Sequence, residues 1–251
     1  MDILSDTQVV ILAGGKGTRM KCDTPKCLTM LGSMSFLERV IQACSFITKK
    51  PVIVVGYKGD EVINAIGKNN ADFVWQREQL GTGHAVSMAK DSESVQGCKH
   101  IIVLMGDQPF ISSQTLRELV ATHKENNATV TITTAQVPHF ENEFAPFVRF
   151  GRVIRNEHNL VGSIVEYKDA TPEIQSVREV NIGTYVFNAE FLWSHIDTLS
   201  NTNASDEYYI TDLVHMAFEE QKKVVPYVLS ETTEALGINS FEDLEIAKKY
   251  M

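Results

Sequence analysis

A short glycine-rich segment near the N-terminus has the residue types that bind phosphate. Residues 12–20 read L-A-G-G-K-G-T-R-M and begin within the apolar run V-V-I-L-A at 9–13. Glycines where a strand ends let backbone N–H groups approach an anion closely. Lys16, Arg19 and Lys26 add mobile positive charge around the same loop. The pattern favours a phosphate cradle over the alternative, a simple glycine-rich turn.

Two familiar phosphate loops do not match this segment. A Walker A loop needs a glycine at the position of Val10 and a Ser or Thr after Gly-Lys, but Gly15-Lys16 is followed by Gly17. The dinucleotide-binding fingerprint needs a third glycine where Met20 stands. P-loop hydrolysis and dinucleotide redox chemistry are therefore disfavoured.

A carboxylate follows another apolar run, I-I-V-L-M at 101–105, in the sequence Gly106-Asp107. Ligands of open α/β folds bind at the carboxyl ends of the parallel strands, which is where Asp107 would lie. An oxygen ligand there suits Mg²⁺. A Gly-Asp-Gln-Pro turn is the alternative, and the residues alone leave the two open.

Strand-length apolar runs alternate with helical patterns through the first half, which predicts a parallel α/β sheet. The runs at 9–13, 52–55, 73–75 and 101–105 are separated by helical segments. The helix after the first run is signalled by Ser35 and Glu38, which have the spacing of a capping box. From residue 129 the pattern changes to strands with little helix between them until Ala189, which predicts a mixed or antiparallel second half.

Composition limits the class of protein. The 251 residues are 43% hydrophobic and 22% charged, so the chain can bury a core and is not disordered. The net charge of −9, from 23 Lys+Arg against 32 Asp+Glu, disfavours nucleic-acid and anionic-lipid partners. No apolar run is long enough to span a membrane, and no basic secretory leader is visible. We expect a cytoplasmic protein whose four cysteines are free thiols.

Residues 12–20, with Pro25-Lys26, resemble the signature of the sugar-phosphate nucleotidyltransferases, L-A-[AG]-G-x-G-[ST]-R-[ML] followed by P-K. Three further segments narrow the resemblance: Q-R-E-Q-L-G-T-G-H-A at 76–85, E-Y-K-D-A-T at 166–171 and N-A-S-D-E-Y-Y-I-T-D at 203–212. Together they are similar to the uridyltransferase domain of the bacterial bifunctional N-acetylglucosamine-1-phosphate uridyltransferase/glucosamine-1-phosphate acetyltransferases. The resemblance spans roughly residues 8–230. The family's acetyltransferase domain is not expected here, because the sequence ends at Met251.

The resemblance implies a Rossmann-like α/β fold with a mixed, mainly parallel sheet flanked by helices and a smaller β-rich sugar-binding sub-lobe. We predict one nucleotidyltransferase domain over residues 1–251. Within it, about 1–128 would form the nucleotide-binding half, about 129–230 the sugar-binding or acceptor-binding half, and 231–251 a C-terminal helix. A monomer or small homo-oligomer is expected, since the family's acetyltransferase domain drives its trimerisation.

The resemblance also implies roles for individual residues. Arg19, Lys26 and Asp107 would be catalytic, and Asp107 with Asn203 would bind Mg²⁺. Thr82 has an alternative role as a helix N-cap. Gln76 alone would not distinguish uracil from cytosine, because its amide can flip, whereas the backbone of Gly81 cannot. The nucleotide-binding positions are Leu12, Ala13, Gly14, Gly15, Gly17, Lys26, Gln76, Gly81 and Thr82, and the sugar-binding positions are Gly151, Glu166 and Asn181.

The implied reaction is Mg²⁺-dependent transfer of UMP from UTP to a sugar 1-phosphate, giving a UDP-sugar and pyrophosphate, with N-acetylglucosamine 1-phosphate as the expected acceptor. Two alternatives stay open: the same chemistry with another nucleotide and phosphorylated acceptor, or a catalytically silent nucleotide-sugar-binding regulatory protein. Departures from the family pattern lie mainly near the expected sugar. They are Met105, Phe150, Ile182 and Ser205-Asp206.

Overall fold

The first half of the chain alternates strands and helices, as its apolar periodicity predicts. The computed structural model describes residues 4, 6–17, 20 and 23–251. The elements of this half are β1 (Thr7–Leu12), β2 (Met30–Leu31), β3 (Met34–Ser35), α1 (Phe36–Cys44), β4 (Val52–Val55), α2 (Gly59–Ile66), β5 (Asp72–Trp75), α3 (Thr82–Ser87), β6 (His100–Met105) and α4 (Ser113–Glu125).

Strands predominate after residue 129, again as predicted, with a 3-10 segment at Asn142–Arg149 and a four-residue helix before the helix that begins at Ala189. The elements are β7 (Val130–Gln136), β8 (Arg152–Arg155), β9 (Val161–Val165), α5 (Pro172–Gln175), β10 (Glu179–Asn188), α6 (Ala189–His195), α7 (Asp212–Glu219), β11 (Val224–Val228) and α8 (Phe241–Ala247). Within the range 231–251, predicted as a C-terminal helix, the structure has the short helix α8, which begins after a capping box at Ser240, and 3-10 segments at Thr232–Ala235 and Lys248–Tyr250.

One mixed, mainly parallel sheet carries the fold, as expected. Its strand order is β11-β7-β10-β6-β1-β4-β5, and β8 and β9 form a hairpin that branches from β10. Strands β5, β4, β1 and β6 are mutually parallel, while β10 runs antiparallel to both β6 and β7. Leu12 and Met105 are register partners at the ends of β1 and β6. The loops that follow them, 13–17 and 106–107, therefore leave the sheet side by side.

Side chains of the central strands alternate between two faces, and each face has its own core. On β1, Val10 packs into the cluster that includes α6 and α7, while Val9 and Ile11 pack into the cluster that includes α1 and α4. This is the period-two pattern of a strand covered by helices on both sides. The central strands are thus buried on both faces, and the loops at the carboxyl edge of the sheet begin where these strands end.

Two local expectations can be compared directly with the structure. The capping box that begins α1 is confirmed, because Ser35 Oγ accepts from the Glu38 N–H at 3.3 Å and the Glu38 carboxylate accepts from the Ser35 N–H at 2.7 Å. The predicted division near residue 128 falls between α4 and β7. However, β7, β10 and β11 continue the main sheet, so only the β8–β9 hairpin branches from it.

Among the described residues, no helix has the length and apolarity needed to cross a membrane.

Candidate active site

A cavity of about 280 Å³ lies at the carboxyl edge of β1 and β6. It contains every predicted nucleotide-binding position. Its walls are Leu12, Ala13, Gly14, Gly15, Gly17, Lys26, Cys27, Gln76, Gln79, Gly81, Thr82, Ala85, Met105, Gly106, Asp107 and Glu207. The structure therefore brings together residues that are up to 195 positions apart in the sequence, from Leu12 to Glu207. Lys16 is exposed and is not part of this wall, and Arg19 lies outside the described residues.

Close backbone approach explains two of the glycines in this wall. Gly17 has φ +58°, and a Cβ there would lie 2.6 Å from the Cβ of Lys26. Gly81 has φ +110°, and a Cβ there would lie 2.6 Å from the carbonyl oxygen of Tyr208. Side chains at both positions would be strained and would also collide. The loop at 14–17 and the start of α3 can reach their positions only with glycine.

The amide of Gln76 is held in one orientation. Its Nε2 lies 3.0 Å from the Gly81 carbonyl oxygen and 3.1 Å from His84 Nδ1. Nε2 donates to the Gly81 carbonyl and faces His84 Nδ1, so the Gln76 carbonyl oxygen is left to accept from elsewhere. Gln76 is only 4% exposed. These two contacts select one orientation of the amide in this structure, and the base that Gln76 reads stays a prediction.

Thr82 begins α3 but does not cap it. The N-cap residue is Gly81, and the Thr82 hydroxyl instead accepts from the Ile210 N–H at 3.2 Å. The backbone of Tyr208 pairs with the same segment, donating to Leu80 at 2.7 Å and accepting from Gly83 at 2.8 Å. The segment around 207–210 is thereby fixed against the start of α3, which brings Glu207 into the cavity wall.

Lys26 lies between two oxygen-bearing side chains. Its ammonium forms an ion pair with the Asp107 carboxylate and donates to Asn239 Oδ1 at 2.7 Å. The Ile238 N–H also donates to the Asp107 carbonyl at 3.1 Å, which ties the C-terminal segment to this loop. A carboxylate and an amide oxygen that converge on one cation are suitable donors for Mg²⁺, which takes one or two protein oxygens and completes its octahedron with water and phosphate. The residues present therefore fit the metal.

The structure does not bring Asn203 to Asp107, which corrects the predicted metal pair. Asn203 Oδ1 accepts from the backbone N–H groups of Ser205 and Glu207 at 3.1 and 3.2 Å, and its Nδ2 donates to the Glu207 carbonyl at 2.6 Å. Its amide therefore closes its own turn, and Asn203 is in neither of the two cavity walls. The oxygen beside Asp107 belongs to Asn239.

A second cavity, of about 840 Å³, adjoins the first, and Thr82, Met105 and Asp107 line both. All three predicted sugar-binding residues are in its wall. They are also close to one another, since the Asn181 N–H donates to the Gly151 carbonyl at 2.8 Å. A Cβ added to Gly151 would lie 3.5 Å from both oxygens of Glu166.

Glu166 is the acidic group of this second cavity. Its Oε1 accepts from the Thr211 hydroxyl at 3.1 Å. Burial raises the pKa of the Glu166 carboxyl, and the hydroxyl of Thr211 acts in the opposite direction; Asp212 and Asp169 raise it further. A carboxyl in these surroundings is a strong acceptor for a sugar hydroxyl when it is ionised. The polar wall thus matches a hydroxyl-rich ligand.

The departures from the family pattern divide into two groups. Met105, Phe150 and Ile182 line the second cavity, so these substitutions alter the wall where an acceptor would lie. Ser205 and Asp206 lie outside both walls, and the Ser205 hydroxyl accepts from Lys168 at 3.0 Å on the surface. Only the first group bears on acceptor identity.

Nucleophilic cysteine chemistry does not fit the site. Cys27 lines the first cavity, but burial raises the pKa of its thiol to about 12, with Asp107 adding to the effect, so it stays a thiol at neutral pH. Cys44 and Cys98 are also free thiols, and Cys22 lies outside the described residues. Within the described ranges, no three His, Cys, Asp or Glu side chains cluster around a metal position.

Three site residues escape prediction from the sequence. They are His84, which follows Gly83 at the start of α3, Tyr185, which lies in no recognisable motif, and Asn239, which precedes the capped helix α8. Finding Asn239 requires knowing that residues 237–239 return to Asp107, which the spacing does not reveal.

Comparison with known proteins agrees with this geometry. The family model described as "MobA-like NTP transferase domain" matches residues 9–182. The Bifunctional protein GlmU of Streptococcus sanguinis is 41% identical over 244 residues, and that of Streptococcus uberis is 39% identical over 244 residues. Each alignment covers 96% of this chain and 51% of the relative, so the chain spans about half the length of the curated relatives it matches. The resemblance predicted from the motifs is confirmed.

A solved structure shares the fold. A protein of Bacillus anthracis described as a glucose-1-phosphate thymidylyltransferase, in complex with sucrose, superposes with a TM-score of 0.73 at 18% identity. The match covers 97% of this chain and 94% of that one. The mixed, mainly parallel sheet flanked by helices is therefore an architecture shared over nearly the whole chain.

Proposed function

The chain belongs to the family of MobA-like NTP transferase domains, and from that premise we propose that it transfers UMP from UTP to N-acetylglucosamine 1-phosphate, releasing pyrophosphate. One observation carries the proposal. A glycine-walled cavity with Lys26 adjoins a polar cavity with Glu166 and Asn181, and Asp107 lines both. A nucleotide in the first and a sugar in the second would meet at Asp107.

The chemistry required is in-line displacement. A phosphate oxygen of the acceptor forms a bond to the α-phosphorus of UTP, the bond from that phosphorus to the bridging oxygen breaks, and pyrophosphate leaves. The attacking phosphate is already an anion, so no general base is needed. The protein's contribution is to position both substrates and to stabilise the negative charge.

Each part of the site has a role in this proposal. Backbone N–H groups of the glycine loop and the ammonium of Lys26 would stabilise phosphate charge. Arg19 would do the same, as the resemblance of the sequence to the family implies. The acceptor oxygen of Gln76 suits the N3–H of uracil. Asp107 and Asn239 would hold Mg²⁺. The metal, when bound, supplies charge neutralisation between the phosphates.

The acceptor is the least constrained part of the proposal. Relatives named Bifunctional protein GlmU support UDP-N-acetylglucosamine as the product, whereas Met105, Phe150 and Ile182 change the wall of the acceptor cavity. A second candidate is therefore the same reaction with another sugar 1-phosphate. A cytoplasmic location and a monomeric or small oligomeric state stay predictions from the sequence.

Pyrophosphate release from purified protein tests the proposal. UTP, CTP, GTP, ATP and dTTP are each combined with N-acetylglucosamine 1-phosphate, glucosamine 1-phosphate or glucose 1-phosphate and Mg²⁺, and the sugar nucleotide is identified by mass spectrometry. We expect the fastest release with UTP and N-acetylglucosamine 1-phosphate. A faster different pair would change the substrates, and no release with any pair would indicate a regulatory binding protein instead.

A further inference from the structure

Tyr185 is a buried aromatic residue in the wall of the acceptor cavity. It lies on β10, is 1% exposed, and its ring centroid lies 5.5 Å from that of Phe187 in the core. Nothing in its packing requires the hydroxyl, because a phenyl ring would fill the same volume. Burying that hydroxyl costs free energy unless it is bonded, so its partner is informative.

A β-bulge brings Tyr185 to Asn181. Along the pairing of β10 with β7, Asn181 is opposite Thr134 and Tyr185 is opposite Ile132, so four steps on β10 match two on β7. Gly183 lies within the bulge at φ +83°. A regular strand would separate these two positions by roughly 13 Å, whereas the bulge shortens the path enough for their side chains to bond.

The hydrogen bonds among these residues have a definite direction. The Gly183 N–H donates to Asn181 Oδ1 at 3.2 Å, so Nδ2 is the other end of the amide and donates to the Tyr185 hydroxyl oxygen at 2.6 Å. Burial, with Glu166 adding to it, raises the pKa of the Tyr185 hydroxyl, which keeps its proton. Tyr185 therefore accepts from Asn181, and its own O–H remains a donor.

We infer that Tyr185 is a positioning residue for acceptor recognition: its hydroxyl fixes the amide of Asn181 so that the second N–H of Asn181 is presented to the sugar. The inference rests on the proposed function for the identity of the ligand. The wall then offers donors at Asn181 and an acceptor at Glu166, a pattern suited to a sugar that carries both a carbonyl oxygen and free hydroxyls.

Tyr185→Phe tests this with the ring retained, so the core stays filled. We expect the KM for N-acetylglucosamine 1-phosphate to rise about three- to tenfold, the loss of one neutral hydrogen bond, with kcat changed less than about twofold. The KM for UTP should not change. In an Asn181→Ala background the same substitution should raise that KM by less than about 1.5-fold, because Tyr185 acts through Asn181.

A control is Tyr227→Phe, which removes a solvent-exposed hydroxyl that donates to Glu118 outside both cavities. Proton–nitrogen NMR of the Asn181 side-chain amide, assigned by its loss in Asn181→Ala, gives a readout without substrate. The Asn181 signal should shift in Tyr185→Phe and not in Tyr227→Phe.

Additive effects in the two backgrounds, or an unshifted amide signal, would overturn the inference. If the wild-type protein releases no pyrophosphate with any substrate pair, the proposed function is rejected. The NMR comparison would still decide the role of Tyr185.

Discussion

The ammonium of Lys26 pairs with the carboxylate of Asp107 inside the first cavity, and the same nitrogen bonds Asn239 Oδ1. The Lys26 side chain is only 12% exposed, so solvent screens this pair weakly. Lys26 thus occupies the two oxygens proposed to hold Mg²⁺ and neutralises the charge of Asp107. A divalent ion and Lys26 would compete for them, and the triphosphate offers Lys26 an alternative anion. Binding of metal and nucleotide should therefore be coupled.

Lys26→Met should separate these two effects, because it keeps the aliphatic stem and removes the charge. Turnover should fall by roughly 10²–10³, the cost of one preorganised charge at the transferring phosphate. In contrast, Mn²⁺ should bind the nucleotide-free variant on the order of tenfold more tightly than wild type, because a competing cation is gone. Electron paramagnetic resonance of free Mn²⁺ measures this binding directly.

Lys58→Met is the control for that measurement, since Lys58 pairs with Asp23 and Glu61 and is in neither cavity wall. It should leave Mn²⁺ binding unchanged. Unaltered or weaker Mn²⁺ binding by Lys26→Met would refute competition for the two oxygens, whatever the effect on turnover.

Asp107→Asn and Asn239→Ala should both raise the Mg²⁺ concentration needed for half-maximal activity. The first should also lower activity by on the order of 10² or more, with partial recovery in high Mg²⁺ or in Mn²⁺, because mass action offsets weaker ligation. The second should weaken Mg²⁺ binding by about tenfold, as loss of a neutral ligand. Asn203→Ala is the matched control, and its Mg²⁺ requirement should equal that of wild type. A changed requirement in Asn203→Ala alone would restore the pair expected from the sequence.

The contrast between Asn203 and Asn239 shows where prediction from sequence ends. Periodicity in runs such as 101–105 located the strands, because a strand covered on both sides must be apolar throughout. Parallel pairing then placed Asp107 at the ligand edge. Which distant asparagine approaches Asp107 depends on the path of residues 229–239 over the sheet, and no local pattern encodes that path.

Gln76 illustrates a different limit. The resemblance to the family implied a base-reading amide at Gln76, but the orientation of that amide depends on partners contributed by other turns. Those partners are the Gly81 carbonyl and His84 Nδ1, and both require the conformation at the start of α3. The residues that line the first cavity were thus predictable, whereas the direction of their hydrogen bonds was not.

Base selectivity follows from that orientation. UTP should be preferred to CTP by well over tenfold in kcat/KM, since the Gln76 oxygen accepts from the N3–H of uracil, and cytosine offers only a lone pair there. Gln76→Leu should bring the ratio close to one while lowering kcat/KM for UTP. Gln114→Leu, on the solvent-facing side of α4 where Gln114 bonds Glu118, should keep the wild-type ratio. Equal use of UTP and CTP by the wild-type protein would remove the uridyl assignment.

Acid should destabilise the fold through His123, a buried histidine on α4. Burial lowers the pKa of His123 to about 3, with His100 and Lys124 contributing, and its Nδ1 lies 2.8 Å from the Thr131 hydroxyl. The unfolded chain therefore binds a proton near pH 6.5 that the folded chain does not. Stability is complete above that pH and declines toward pH 3, by about 1.4 kcal/mol per pH unit. Urea unfolding at pH 7.5, 6 and 5 should show this slope reduced in His123→Gln and unchanged in His158→Gln, an exposed control. Equal slopes in wild type and His123→Gln would assign the acid sensitivity to other groups.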